Sequence, residues 1–190
     1  MIGTGALAPH LIRVHSKVRP IREVAIWGRR PEEAQRLAHQ LSSSLLTTLG
    51  RAVAVRAVAD RQQAVRAADI VSCATLSKAP LVEGAWLREG QHIDLVGAYT
   101  PEMRESDDGA VRRAQVHVDT HASATREAGD IVLAIKSGAI TADNIIADLF
   151  ELARGERSRR PASDGHSITL FKSVGAALED LAAAELAVER

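Results

Sequence analysis

Apolar positions along this chain follow two alternating rhythms. Ala8, Leu11, Ile12 and Val18 recur near helical spacing, with Pro9 in the first turn, where its missing N–H costs nothing. The run Val24-Ala25-Ile26-Trp27 then ends in Gly28, as a buried strand does. Pro31 to Leu41 reads as a helix with proline at its first position, Glu32 and Glu33 in its first turn, and Ala34, Leu37, Ala38 and Leu41 on one face. A run from Ser42 to Ser44, and Gly50, punctuate the join to a short strand, Val53-Ala54-Val55. Arg61 to Ala67 is a brief helix and Asp69 to Thr75 a buried strand leading into a loop. Gly84 to Leu87 forms a helical turn, and His92 to Gly97 and Val116 to Asp119 are further strands. Strand alternating with helix in this way predicts an α/β fold built on a doubly wound parallel sheet.

The chain opens on Gly3-Thr4-Gly5-Ala6-Leu7-Ala8, a G-x-G-x-x-A run at the start of a helix. The first glycine permits a tight turn, the second lets backbone N–H groups approach a pyrophosphate, and the helix N-terminus favours the anion. The small Ala8 lets helix and sheet sit close. In a Rossmann unit such glycines follow a buried strand, and Met1-Ile2 leaves room for only its last two residues. Either this is the rear portion of a longer enzyme or the run is accidental, and the helix and strand that follow favour the first. At the other end, Arg154 to Gly165 is polar, charged and rich in breakers, an exposed connection. Ser167 to Phe171 reads as a strand, and a helix runs from about Val174 to Glu189 with Ser173 as its N-cap. Ala176, Ala177, Ala182, Ala183 and Ala184 make that helix small-faced, suited to close packing against another element.

Composition narrows the function classes. Lys plus Arg and Asp plus Glu both number 24, so no global field attracts nucleic acid or an anionic membrane, and aromatics at 3% leave few platforms for stacking bases. No apolar stretch reaches the roughly 18 residues a membrane span needs, and no basic segment leads an apolar one for export. The single Cys73, inside an apolar strand, excludes an internal disulfide and reads as a core residue in a reducing, cytoplasmic compartment. Among the histidines, His10, His15, His92 and His117 show no metal-ligand spacing, and no metal is expected.

An NAD-preferring site places an acid at the end of the second strand to accept from the ribose 2′-hydroxyl. This chain has Trp27-Gly28-Arg29-Arg30 there. Two guanidinium groups would pair with a 2′-phosphate, so NADP is expected over NAD, the alternative being arginines that point into water.

Several segments together resemble the ornithine cyclodeaminase/μ-crystallin family. They are the glycine run, Trp27-Gly28-Arg29, Ala68 to Val71, Val96 to Glu105, Glu127-Ala128-Gly129-Asp130 and Phe171 to Gly175. The resemblance implies a Rossmann domain, a second domain for substrate and dimerisation, and NAD(P)-dependent chemistry on imino or amino acids. It implies that Gly3, Thr4, Gly5 and Ala6 hold the pyrophosphate, that Gly28, Arg29 and Arg30 hold the adenosine ribose and its phosphate, and that Thr75 and Val96 wall the cofactor cleft. Ser173 resembles a cofactor-contacting serine, or is only a helix cap; Glu127 resembles a carboxylate bordering the ligand pocket, or is a surface acid in a first helical turn.

One departure bears on the chemistry. Where the cyclodeaminases carry an aspartate, this chain has Tyr99, whose phenol, with an ordinary pKa near ~10, does not replace a carboxylate base at neutral pH. Tyr99 is left to shape the substrate pocket. A reductase of cyclic imino acids such as pyrroline-2-carboxylate or piperideine-2-carboxylate is therefore expected. An ornithine cyclodeaminase with catalytic NAD is the runner-up, and a non-catalytic μ-crystallin-like binding protein or inert remnant a third reading. A second departure is that the family's substrate-binding arginines and lysine belong to a domain preceding the glycine motif. On this reading residues 1–165 are a dinucleotide-binding domain truncated at its N-terminus, and 166–190 a strand and helix that would return to the absent domain. The whole protein is then expected to be a homodimer, and the 190-residue chain alone to fold poorly and catalyse nothing.

Overall fold

The computed structural model describes residues 1–156 and 165–189. Helix α1 (Ala8–Val18) is followed by strand β1 (Glu23–Ile26), helix α2 (Pro31–Leu49), strand β2 (Ala54–Ala57), helix α3 (Arg61–Ala67) and strand β3 (Ile70–Cys73). After a 3-10 turn at Gly84–Trp86 come β4 (His92–Leu95), α4 (Asp108–Arg113), β5 (Ala114–Val118), α5 (His121–Arg126) and α6 (Gly129–Lys136). The chain continues through β6 (Ile145–Asp148), α7 (Leu149–Arg154), β7 (Ile168–Lys172) and α8 (Ala177–Val188).

All strand pairs are parallel, which agrees with the α/β doubly wound expectation. A two-stranded sheet, β1-β2, lies beside a five-stranded one in the order β3-β4-β7-β5-β6. Ile2 joins them: it bridges Trp27 on one side and Cys73 on the other, both in parallel sense. Its amide donates to Ser72 O at 2.8 Å and its carbonyl accepts from Ala74 N at 3.0 Å, while Gly3 N donates to Trp27 O at 2.9 Å. Strand order reverses at Ile2, since the chain first builds outward through β1 and β2 and then returns to β3 on the opposite flank. In a doubly wound sheet the crevice at the carboxyl ends of the strands opens at such a reversal.

Two apolar cores match the two sheets. Ala8 and Ile12 of α1, Val24 and Ile26 of β1, and Ala34, Leu37, Ala38, Leu41 and Leu45 of α2 form one; Ile93, Leu95, Val116, Val118 and Leu170 head the other.

The structure corrects several boundaries. Helix α2 does not stop at Leu41 but continues to Leu49, because Ser42, Thr47 and Thr48 return their hydroxyls to the carbonyls four residues earlier and Leu45 extends the buried stripe. Gly50, at φ 64°, closes it in the left-handed conformation. The final helix is capped at Ala176, not Ser173. Every side chain of α8 is exposed, so its alanine face meets no element among the described residues. Arg154 and Gly155 end α7, and residues 157–164 of the expected connection lie outside the described residues.

Candidate functional site

The glycine turn sits at the strand reversal. Gly3 has φ 110°, and a Cβ there would lie 2.6 Å from Ala74 O and 3.1 Å from Thr75 Cγ2, so only glycine lets this turn pass the end of β3. Around Gly5, by contrast, a Cβ would meet nothing within 4 Å. Among the described residues the amides of Thr4, Gly5, Ala6 and Leu7 donate no hydrogen bond, while the Gly5 carbonyl accepts from Ala8 N at 3.1 Å and the Leu7 carbonyl from His10 N and Leu11 N at 3.0 Å, so that α1 begins directly behind them. Unpaired N–H groups, a helix N-terminus and open space together fit a pyrophosphate.

One shoulder of the groove is the end of β1. Gly28 packs so close to Thr4 that a Cβ would stand 2.7 Å from Thr4 Cγ2, which ties this loop to the glycine turn. Arg29 and Arg30 are both exposed, and Arg30 Nη2 lies 4.0 Å from Glu33 Oε1. Trp27, just before them, is braced by Arg61, whose guanidinium lies 4.8 Å from the Trp27 ring centre and 5.4 Å from that of Trp86.

The opposite shoulder is built from charges, of which Glu105, Asp130 and Lys172 lie inside segments that carry the family resemblance without having been singled out there. Glu105 is fully buried: its Oε1 accepts from Thr75 N at 2.6 Å and Thr75 Oγ1 at 2.8 Å, and its Oε2 accepts from Gly97 N at 2.9 Å. One carboxylate thus joins the exits of β3 and β4. Asp130, also fully buried, accepts on Oδ1 from Glu105 N, Ser106 N and Ser106 Oγ at 2.9, 2.7 and 2.9 Å. Among the described residues its Oδ2 has no hydrogen-bond partner, and it lies 3.8 Å from Lys172 Nζ, itself fully buried and donating to Leu95 O at 3.3 Å. Asp119, at the end of β5, accepts from Val174 N at 2.7 Å, Gly175 N at 2.8 Å and Ser173 Oγ at 3.3 Å. Burial pushes the Glu105 carboxyl above its usual range against the pull of the Thr75 hydrogen bond, and burial pushes the Lys172 ammonium down against the pull of Asp130. Burial likewise raises the Cys73 thiol well above its ordinary value, which suits the core role read from sequence.

Of the residues singled out in sequence, Gly3 to Ala6, Gly28 and Thr75 come together around the turn by the contacts above, and Val96 follows β4, its amide bonded to Cys73 O. Ser173 binds Asp119 rather than capping a helix, because Val174 and Gly175 still separate it from the α8 cap at Ala176. Tyr99 is 49% exposed on the loop after β4. Glu127 is exposed at the C-terminal end of α5, not in a first helical turn. Glu105, Asp119, Asp130 and Lys172 were missed as site residues. For Asp119, Asp130 and Lys172 the signal was a charge set against a strongly apolar run, as in Ile168-Thr169-Leu170-Phe171-Lys172, whereas Glu105, between Arg104 and Ser106, had no such neighbours. His121, Asp148 and Glu151 bring ligand atoms within 4.8 Å of one another, but Asp148 and Glu151 are engaged in capping the first turn of α7.

The whole chain, residues 1–190, matches the model of the ornithine cyclodeaminase/mu-crystallin family. The chain belongs to that family. It is 41% identical over 182 residues to Delta(1)-pyrroline-2-carboxylate reductase of Paracoccus denitrificans, covering 95% of this chain and 55% of that one. It is 34% identical over 186 residues to mouse ketimine reductase mu-crystallin, covering 98% and 53%. Among solved structures, Thermococcus litoralis Delta(1)-pyrroline-2-carboxylate reductase in complex with NADH and L-proline superposes with a TM-score of 0.91 at 34% identity, covering 99% of this chain and 56% of that one. The chain therefore spans little more than half the length of these relatives. No helix among the described residues is long and apolar enough to cross a membrane.

Proposed function

We propose that this chain is the cofactor-binding part of an NAD(P)H-dependent reductase of cyclic imino acids, of the pyrroline-2-carboxylate or piperideine-2-carboxylate type. The observation that carries the reading is the row of unpaired amides from Thr4 to Leu7 at the start of α1, opening where strand order reverses. In this reading Gly3, Thr4, Gly5 and Ala6 hold the pyrophosphate, Gly28, Arg29 and Arg30 the adenosine ribose, and Thr75, Val96 and Ser173 border the nicotinamide end. When bound, the reduced nicotinamide supplies a hydride to the carbon of a C=N bond. The protein's share is to orient, to exclude water and to supply charge: Glu105 fixes Thr75 and Gly97, and Asp119 fixes the turn from Ser173 to Gly175. Tyr99 and Glu127 border the substrate pocket, and the phenol at position 99 favours reduction over cyclodeamination.

NADP is preferred over NAD, since the two arginines after Gly28 offer a 2′-phosphate paired donors. Residues 1–165 act as the dinucleotide domain, and 166–190 lead toward a substrate and dimerisation domain of the kind the longer relatives have room for. The lone buried thiol suits a cytoplasmic setting. Titrating the chain with NADPH and NADH, followed by nicotinamide fluorescence, tests the reading; saturable binding with NADPH the tighter is expected. Failure of both nucleotides to bind would overturn it.

A further inference from the structure

We propose that the buried acids Glu105, Asp119 and Asp130, faced by the buried base Lys172, draw a bound nicotinamide couple toward its oxidised, cationic form. The inference rests on the reading of the groove as a nicotinamide dinucleotide site.

Position comes first. Glu105 binds the exits of β3 and β4 through Thr75 and Gly97, and Asp119 binds the exit of β7 through Ser173, Val174 and Gly175. These exits are the shoulder opposite Gly28 and Arg29. A dinucleotide laid across the glycine turn with its adenosine toward Gly28 presents its nicotinamide to this other shoulder. The carboxylates therefore stand directly behind the wall that the ring faces.

Charge comes next. All four side chains are fully buried, so water screens them little. Glu105 and Asp119 receive backbone amides, which donate and cannot accept, so the ionised forms suit their surroundings. Three carboxylates against one ammonium leave the cluster negative. Nearby, the buried Asp94 of β4 accepts from Ser72 Oγ at 3.0 Å and lies 3.1 Å from His15 Nε2, the partly buried Met1 ammonium donates to Ala25 O at 2.8 Å, and Arg104 pairs with Asp108 at 2.7 Å. The nicotinamide ring carries a positive charge when oxidised and none when reduced, so a fixed negative cluster stabilises only the oxidised state. The same field favours a protonated imine, the form of the substrate that accepts hydride.

The test is the ratio of dissociation constants for NADP+ and NADPH, measured by calorimetry on the 190-residue chain and on E105Q, D119N and K172M, each checked for its fold by circular dichroism. E105Q and D119N are expected to weaken NADP+ relative to NADPH by about threefold to tenfold, and K172M to move the ratio the other way. Loosening of the wall alone weakens both nucleotides alike and cannot produce opposite signs. If no variant folds, the wild-type ratio decides: NADP+ bound at least as tightly as NADPH supports the proposal, and NADPH bound more tightly overturns it. An unchanged ratio in folded variants that still bind overturns this inference alone, whereas loss of all binding by the wild type removes the cofactor reading and the inference together.

Discussion

The two shoulders of the groove are built on opposite principles. On the β1 side the core beneath is apolar, from Val24 and Ile26 to Leu41 and Leu45, and the charges, Arg29 and Arg30, stand in water. On the β3-β4-β7 side the charges are inside, where Glu105, Asp119, Asp130 and Lys172 are held by one another and by backbone amides. An exposed arginine is free to choose a ligand phosphate and is replaced at small cost to the fold. A buried carboxylate that joins two loops cannot be changed without moving both. One shoulder thus recognises, and the other positions.

The largest effect is expected where the positioning shoulder is tightest. A Cβ at Gly97 would lie 2.0 Å from Thr75 O and 2.1 Å from Thr75 N, so Gly97→Ala must drive two backbones apart, at an expected cost of about 3 kcal/mol or more in a denaturant melt. Gly5→Ala, with nothing in reach, should leave the melt within about 0.5 kcal/mol of wild type while weakening dinucleotide binding, since the added methyl enters the space left for the pyrophosphate. Equal melts for the two variants would erase the contrast between the shoulders.

Of similar size is Lys172→Met, which strips Asp130 Oδ2 of the cation beside it and should cost about 3 kcal/mol. Adding Asp130→Asn should recover part of that loss, with a coupling of about 1 kcal/mol or more; strict additivity would mean that the pair does not act as a unit. On the recognising shoulder, Arg29→Ala should weaken NADPH by about 1 to 3 kcal/mol and NADH hardly at all, without moving the melt. Equal losses for the two nucleotides would show that Arg29 does not read the phosphate. Smallest of all, Leu181→Ala on α8, a residue 53% exposed, should change the stability of this chain by less than about 0.5 kcal/mol.

The recognising shoulder was legible in the sequence because its parts are local. The glycine turn, the strand that ends at Trp27 and helix α3 from Arg61 to Ala67 need only short-range rules, and the structure has them within a few residues of their expected bounds. The positioning shoulder was not, because a buried Glu105 and an exposed Glu102 are written with the same letter, and only the fold brings Asp130 beneath residue 105. Apart from strand β5, expected at Val116 to Asp119, the stretch from Asp108 to Arg154 also escaped. Its helices α4, α5 and α7 have six residues each, too few to establish a period, and β6 spans only Ile145 to Asp148. Nor does any local pattern announce that β7, last along the chain, inserts between β4 and β5. Ser173 misled in a related way, since a serine before an alanine-rich run reads as a cap until Asp119 is seen opposite it.

Ile2 gives the molecule a mechanical character of its own. Between the two sheets it is the residue that bridges both flanks, and each flank has a separate apolar core. Such a seam divides amide protons into two cohorts, those of α1, β1, α2 and β2 exchanging together and earlier than those around β4 and β7. A nucleotide lying across Gly3 would rivet the halves, so that saturation slows the faster cohort far more than the slower one.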